Sequence, residues 1–192
     1  MTKGTKGLIL TAVMIVLIVG YYAYLSNRSA ANKEEVIQLT ATEEALSRDL
    51  ERTYPPSPKE VLKYYSELTM CFYNEEHDDE EIISLAKRAR ELYDDELLAN
   101  QTEEQYIRML AEDINQYKED KMTISSYSVS SSVDVEYYTR DGSEWAKLYC
   151  IYTLRRETML YSTHEDFLLR KDADGHWKIY GWVVSPVDEG SE

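Results

Sequence analysis

An uncharged run near the amino terminus limits most strongly what this chain can fold into. Residues 8–25 read LILTAVMIVLIVGYYAYL and contain no charged side chain. A helix of this length spans about 27 Å at a rise of about 1.5 Å per residue, which matches the hydrocarbon core of a bilayer. Tyr21, Tyr22 and Tyr24 lie at its far end, where amphipathic rings favour the water–lipid boundary. The sequence therefore predicts a transmembrane anchor and a single-pass protein of the cell membrane.

A cleaved signal peptide is the alternative interpretation of this run. The best small-residue cleavage site, Ser29-Ala30-Ala31, lies too far beyond the apolar residues, which favours an uncleaved anchor. Lys3 and Lys6 precede the run, and long domains cross a membrane largely regardless of their own charge. We therefore expect residues 1–7 to be a cytoplasmic tail and the domain to be extracytoplasmic.

Acidic side chains outnumber basic ones, with 36 Asp and Glu against 21 Lys and Arg and a net charge of −15. Binding to phosphates needs clustered Lys and Arg, so nucleic acid is excluded as a partner. The two cysteines are too few for a disulfide-dense scaffold or a cysteine-based zinc site. The acidic residues 75–81 are typical of a helix amino terminus. We expect neither a metal site nor a cofactor.

A polar stretch and a proline-rich break follow the apolar run. Residues 26–56 are predicted to form a juxtamembrane stalk, in which Thr40-Ala-Thr-Glu43 resembles a capping box that starts a short helix. Tyr54-Pro-Pro-Ser-Pro58 breaks the chain, because proline lacks the N–H and disfavours helix before it. We therefore place one domain at residues 57–186 and an acidic tail at residues 187–192.

Hydrophobic periodicity divides this domain into helices followed by strands. Apolar residues recur at helical spacing after Ser57, Asp78 and Thr102, each of which can cap a helix. Near Met122 the period changes from about 3.6 residues to about 2, which is typical of half-buried strands. The alternation predicts strands at 126–137, 145–158, 159–170 and 177–184. The expected fold class is α+β, in which the transmembrane helix precedes about three helices packed on a four-stranded antiparallel sheet.

Three short segments carry a resemblance to known proteins. Residues 171–182, KDADGHWKIYGW, form a Gly turn followed by Trp-Lys-Ile. They resemble the final hairpin of the nuclear-transport-factor-2-like superfamily, also described as cystatin-like α+β cones. The resemblance covers residues 57–186 and implies helices packed on a curved antiparallel sheet. Residues 54–60 and 96–100 resemble a group of bacterial membrane-anchored proteins that carry this domain and have no assigned activity.

The sheet is predicted to be apolar on both faces. One face should pack on the helices, and the other would expose an aromatic surface of the kind that marks an interface. Its candidate ligand-binding or interface residues are Trp145, Tyr149, Tyr180 and Trp182. Two alternatives remain open for this face. It pairs with a second copy of the chain as a homodimer, or the short helix of the stalk covers it.

Because this superfamily includes enzymes, a catalytic pocket is one implication of the resemblance. In ketosteroid isomerases a buried Asp acts as the base, and a Tyr with a protonated Asp forms the oxyanion hole. Tyr152, His164 and Asp166 are the residues that such a pocket would use here. They do not match a family motif residue by residue, so we name them as pocket candidates and expect no catalytic residue.

The two cysteines both lie in apolar company. Cys71 falls on the first helix of the domain and Cys150 falls in the middle of a strand. A free cysteine is a small hydrophobe that is usually buried, which predicts two buried thiols. A disulfide is the alternative if the two residues face each other outside the cytosol.

The expected function is that of a non-catalytic, membrane-anchored binding or interaction module outside the cytoplasm, whose protein or small-molecule ligand the sequence does not identify. The superfamily hosts isomerases, dehydratases, transport adaptors and secretion scaffolds, so its fold does not decide function. Two other functions stay open. One is an assembly scaffold of a secretion or conjugation apparatus, and the other is a small-molecule enzyme with a cone-shaped pocket.

Overall fold

The computed structural model describes Tyr21 and residues 39–185. Apart from Tyr21, the predicted anchor at 8–25 lies outside the described residues, as do the tails predicted at 1–7 and 187–192. A search of the described helices finds none with the length and apolar character needed to cross a membrane. The described chain from Leu39 onward belongs to one compact unit.

Helices fill the first half of this unit. Thr40, Ser57, Asp78 and Thr102 each accept a backbone N–H at the start of a helix, so the helix starts predicted from the sequence are confirmed. A short helix that begins after Asp94 was not predicted. The helices are α1 (Ala41–Leu46), α2 (Pro58–Asn74), α3 (Asp79–Arg90), α4 (Asp95–Ala99) and α5 (Glu103–Glu119).

An antiparallel sheet fills the second half, so the predicted α+β class is confirmed. Its strands are β1 (Met122–Val129), β2 (Glu136–Arg140), β3 (Ser143–Arg156), β4 (Met159–Lys171) and β5 (Trp177–Ser185). The order is β1-β3-β4-β5, and β2 also pairs with β3.

The described sheet has five strands, and the prediction of four was wrong. A short 3-10 turn at Ser132–Asp134 divides the predicted strand 126–137 into β1 and β2. Both strands can pair with β3 because β3 is 14 residues long. Its first part pairs with β2 and its second part pairs with β1, along the same edge.

One face of the sheet, which we call the inner face, packs against the helices. Ser66 of α2 contacts Cys150 and Tyr152 on this face through its hydroxyl, at 3.5 and 2.9 Å. Cys71 and Cys150 are buried free thiols, as their apolar neighbours predict, and burial raises the pKa of each. The buried strand residues of the inner face are Ile124, Ala146, Leu148, Cys150, Tyr152, Phe167, Leu169, Trp177 and Ile179.

The segment predicted to be a stalk packs along α2 from residue 39 onward. At one end of α2, Thr42 Oγ1 donates to the Glu75 carboxylate at 2.6 Å. Midway, the Tyr64 hydroxyl donates to the Ala45 carbonyl at 2.7 Å. At the other end, the Tyr54 hydroxyl donates to a β5 carbonyl at 3.0 Å. Residues 39–56 are therefore part of the domain, and α1 lies on the helical side of the sheet.

Candidate functional site

The other face of the sheet, which we call the outer face, points away from the helices. Its residues follow from the strand register, which alternates along each strand. On β3 it carries Trp145, Lys147 and Tyr149, which pair with Arg170, Leu168 and Asp166 of β4. On β2 it carries Glu136 and Tyr138, which lie opposite Lys147 and Trp145. The side chains of Tyr138 (41%) and Val183 (63%) on this face are exposed.

An aromatic cluster stands at one end of the outer face. The Trp145 ring stacks parallel to Tyr138, with centroids 6.4 Å apart, and meets the edge of Tyr180 at 4.9 Å. The Arg170 guanidinium lies 5.4 Å from the Trp145 centroid and 5.1 Å from the Tyr180 centroid. These neighbours leave Trp145 only 8% exposed. Trp145 therefore packs beneath the cluster, while the rings of Tyr138 and Tyr180 reach solvent.

Two carboxylates hold this cluster to the helical layer. Arg170 donates to both oxygens of Asp94, at 2.5 and 2.9 Å, and to Glu96 at 2.7 Å. The Tyr180 hydroxyl donates to the other Glu96 oxygen at 2.7 Å. Hydrogen bonds to Asp94 and Glu96 raise the pKa of Arg170, and those from Tyr180 and Arg170 lower the pKa of Glu96. The rings are therefore fixed in place by charge-assisted bonds.

Two adjacent hollows open on the outer face, and Lys147 and Asp166 line both. One, of about 550 Å³, extends to Val133 and Tyr149. The other, of about 420 Å³, extends to Tyr180 and other residues of β5. The middle of this face is therefore concave and carries charges of both signs.

The four predicted interface residues do not all share this face. Trp145, Tyr149 and Tyr180 lie on the outer face, but Trp182 lies on the inner face. Its ring stacks on Phe167 at 5.7 Å, and it contacts Tyr65 and Tyr93 of the helical layer. The reason is a bulge in β5 near Gly181, where the register with β4 shifts. One extra residue reverses the alternation beyond it, so the face predicted for Trp182 is wrong.

The three pocket candidates are likewise divided between the two faces. The Tyr152 hydroxyl is buried on the inner face against Ser66. His164 and Asp166 lie on the outer face with Nε2 and Oδ1 3.7 Å apart, and Ser185 donates to Asp166 at 2.6 Å. The structure thus brings His164 and Asp166 together but places Tyr152 across the sheet from them. In the described part of the chain, no three His, Cys, Asp or Glu side chains could hold a metal ion.

Glu165 is a partly buried ionisable residue that was not predicted from the sequence, and neither were Asp94, Glu96 and Arg170 of the cluster. It pairs with Cys150 in the register, so it lies on the inner face between His164 and Asp166 in sequence. Burial alone raises the pKa of its carboxyl. Burial is also the largest cause of the raised pKa of Tyr73 and Tyr117, and the charge of Glu165 adds to it in both. Glu165 alternates with Phe167 and Leu169 along β4, and this spacing could have indicated that it faces the helices.

We expect Glu165→Gln to stabilise the protein at neutral pH. Because the folded-state pKa is raised, the native chain binds more protons than the unfolded chain, and stability falls as pH rises above the ordinary value of 4.5. Glutamine removes this penalty, so thermal unfolding at pH 7 should move up by about 2–4 °C. The difference from the parent should vanish near pH 4. Glu112→Gln, at an exposed position on α5, is the control, and equal shifts in the two variants would contradict the prediction.

Comparison with known proteins identifies the family of this chain. A search of curated proteins gave no match. A family model described as a domain of unknown function, DUF6715, matches residues 1–182. Because this match covers most of the sequence, the chain belongs to the DUF6715 family.

Proposed function

We propose that this protein is a membrane-anchored, non-catalytic interaction module that binds a second copy of itself through the outer face. Residues 8–25 would anchor it in the cell membrane as a single pass, with the domain outside the cytoplasm. The order of helices before an antiparallel sheet, and the hairpin at 171–182, support a nuclear-transport-factor-2-like fold. Members of that superfamily include adaptors and scaffolds, which fits an interaction role.

The open outer face is the observation that carries this proposal. In the described chain, the helices lie against the inner face, and α1 packs on α2. Among the described residues no helix covers the outer face, which supports pairing over cover by the stalk helix. Exposed apolar surface with a polar surround typically marks an interface. Here Tyr138, Tyr180 and Val183 stand around a hollow of about 420 Å³.

Charge favours a second copy as the occupant. In the middle of the outer face, Lys147 is paired in register with Glu136, and it shares both hollows with Asp166. A two-fold axis through this region would bring Lys147 of each copy towards the carboxylates of the other. The net charge of the whole chain, −15, opposes pairing. Added salt screens that repulsion, so the dimer should be stronger at high ionic strength.

Sedimentation of the detergent-solubilised full chain tests this proposal. We expect a dimer whose dissociation constant is in the micromolar range at high salt. Lys147→Glu should weaken it at least about tenfold, because the face then repels its copy. Adding Glu136→Lys to that variant should restore much of the affinity. Lys87→Glu on α3, which makes the same charge change on the helical side, is the control.

Two results would overturn the proposal. One is a chain that stays monomeric at high micromolar concentration in both low and high salt. The other is a dimer that Lys147→Glu and Lys87→Glu weaken equally. The second result would mean that total charge, and not the outer face, governs association.

A further inference from the structure

The inner face of the sheet is open at one end. Glu165 pairs with Val184 in the register of β4 and β5, so both residues lie on the inner face. Val184 is nevertheless 64% exposed, and Trp182 on the same face is 37% exposed. Within the described residues, the helices therefore cover this end of the inner face incompletely. The outer-face proposal makes no use of it.

A row of aromatic rings borders this open end. The Trp182 ring contacts Tyr93, with centroids 6.0 Å apart, and Tyr93 meets the edge of Tyr106 at 5.8 Å. Tyr106 and Tyr117 lie about three turns apart on one face of α5. Tyr117 in turn stacks on Tyr73 of α2 at 4.1 Å. These rings run from β5 across α5 to α2, and they line what we call the inner cleft.

Two carboxylates lie among these rings. Asp113 shares the α5 face with Tyr117, one turn away. Burial is the largest cause of the raised pKa of Tyr73 and Tyr117, and the charges of Asp113 and Glu165 add to it in both. Burial likewise raises the pKa of Tyr65 on α2, and the charge of Glu165 again adds to it. Glu165 therefore lies near rings of both α2 and α5.

The described chain supplies no basic partner to these two carboxylates. None of the ion pairs within residues 39–185 includes Asp113 or Glu165. In addition, α2 and α5 end just beyond Tyr73 and Tyr117, and the carboxyl end of a helix carries partial negative charge. The inner cleft is therefore both aromatic and negative.

Such a cleft suits a positive charge that contacts rings. An aromatic face attracts a cation within about 6 Å of its centroid, and quaternary ammonium groups are bound by aromatic cages in this way. Arg90 makes such a contact beside the cleft, with its guanidinium 5.6 Å from the Tyr106 centroid. The Tyr93 and Tyr106 hydroxyls bond to each other at 3.1 Å. A methylated ammonium fits these walls because its charge needs no hydrogen-bond acceptor.

We propose that the inner cleft binds a small organic cation that carries a methylated ammonium group. The rings of Tyr73, Tyr117 and Trp182 would surround the methyl groups, and Glu165 and Asp113 would balance the charge. This role gives a reason for Glu165, a carboxylate that is expected to lower stability at neutral pH, because binding groups are commonly kept at such a cost. The cleft lies across the sheet from the outer face, so the inference does not depend on self-association.

Nuclear magnetic resonance of the full chain tests the site, with isotope-labelled tryptophan and a maltoside detergent that carries no ammonium group. Choline is the probe, and its neutral carbon analogue dimethylbutanol has the same shape without the charge. We expect choline to shift the indole signal of Trp182, with a dissociation constant of about 1 mM or below. Loss of that signal in Trp182→Phe identifies it. The signal of Trp145, on the outer face, should stay in place.

Two further probes separate charge from shape. Dimethylbutanol supplies the methyl groups alone, and ammonium chloride supplies the charge alone. Each should bind at least about tenfold more weakly than choline, because the cleft offers both rings and carboxylates.

Glu165→Gln separates binding from folding, because this variant is expected to be more stable than the parent chain. It should lower the affinity for choline at least about fivefold, since it removes a nearby opposite charge. Glu112→Gln, at the exposed position on α5, makes the same charge change and should keep the parent affinity.

Three results would overturn this inference. The first is the absence of any Trp182 shift at tens of millimolar choline, or a shift of Trp145 in its place. The second is equal affinity for choline and for either dimethylbutanol or ammonium. The third is a Glu165→Gln variant that binds choline as tightly as the parent and the Glu112→Gln control.

Discussion

Replacing Asp94 by alanine is expected to lower the free energy of unfolding by about 3 kcal/mol. Asp94 is 4% exposed and receives two hydrogen bonds from Arg170, at 2.5 and 2.9 Å. It also accepts the Glu96 backbone N–H at the start of α4, at 3.0 Å. The substitution leaves a partly buried guanidinium without its main partner, and removing one member of such a pair typically costs about 3–5 kcal/mol. We take the lower end because the Arg170 side chain is 23% exposed.

Thermal and denaturant unfolding measure this effect. For a domain of this size, a loss of about 3 kcal/mol corresponds to a decrease in Tm of about 6–12 °C. Asp95→Ala is the matched control, because Asp95 is the exposed neighbour at the start of the same helix. Its effect should stay within about 0.5 kcal/mol. Comparable losses in the two variants would mean that α4, and not the bond between Asp94 and Arg170, accounts for the change.

Replacing Trp182 by serine is expected to destabilise the fold by about 2–3 kcal/mol and to leave self-association unchanged. Trp182 packs between Phe167 on the sheet and Tyr65 and Tyr93 on the helical side. Loss of a core aromatic ring typically costs about 3–5 kcal/mol. We expect less because 37% of the residue is exposed. Strict alternation along β5 would place Trp182 on the outer face. It would therefore predict weakened self-association and little loss of stability for this substitution.

Val183→Ser is the matched comparison, because the next residue along β5 lies on the outer face and is 63% exposed. It should change the free energy of unfolding by less than about 0.5 kcal/mol and weaken the dimer. Denaturant unfolding and sedimentation of both variants give the two measurements. A stable Trp182→Ser variant with weakened pairing would show that the ring faces a partner and not the helical layer.

Much of the fold could be predicted because its signals are local. A helix start needs a side chain that reaches a backbone N–H two or three residues ahead, so Thr40, Ser57, Asp78 and Thr102 could be identified from neighbouring residues. The change from helical to alternating periodicity is equally local, and it placed the start of the sheet near Met122.

The candidate site was less predictable, because its geometry depends on pairing between distant residues. Strict alternation correctly placed Trp145 and Tyr149 on one face of β3. On β5 the same rule failed at Trp182, since the bulge near Gly181 is set by pairing with β4. The sequence prediction named His164 and Asp166 but not Glu165. The neighbours of Glu165 on the inner face come from β3 and from the helices.

The apolar run at 8–25, the acidic character, the helix starts and the α+β class follow from composition, capping and periodicity, which depend only on neighbouring residues. The packing of residues 39–56 along α2 depends on long-range contacts, because Thr42 and Tyr54 donate hydrogen bonds to residues far along the chain. Long-range pairing also places β1 and β2 on one edge, and it turns Trp182 and Glu165 towards the helices and Tyr180 outward. The physical reason is that register, bulges and burial come from contacts between segments that no single stretch of sequence contains.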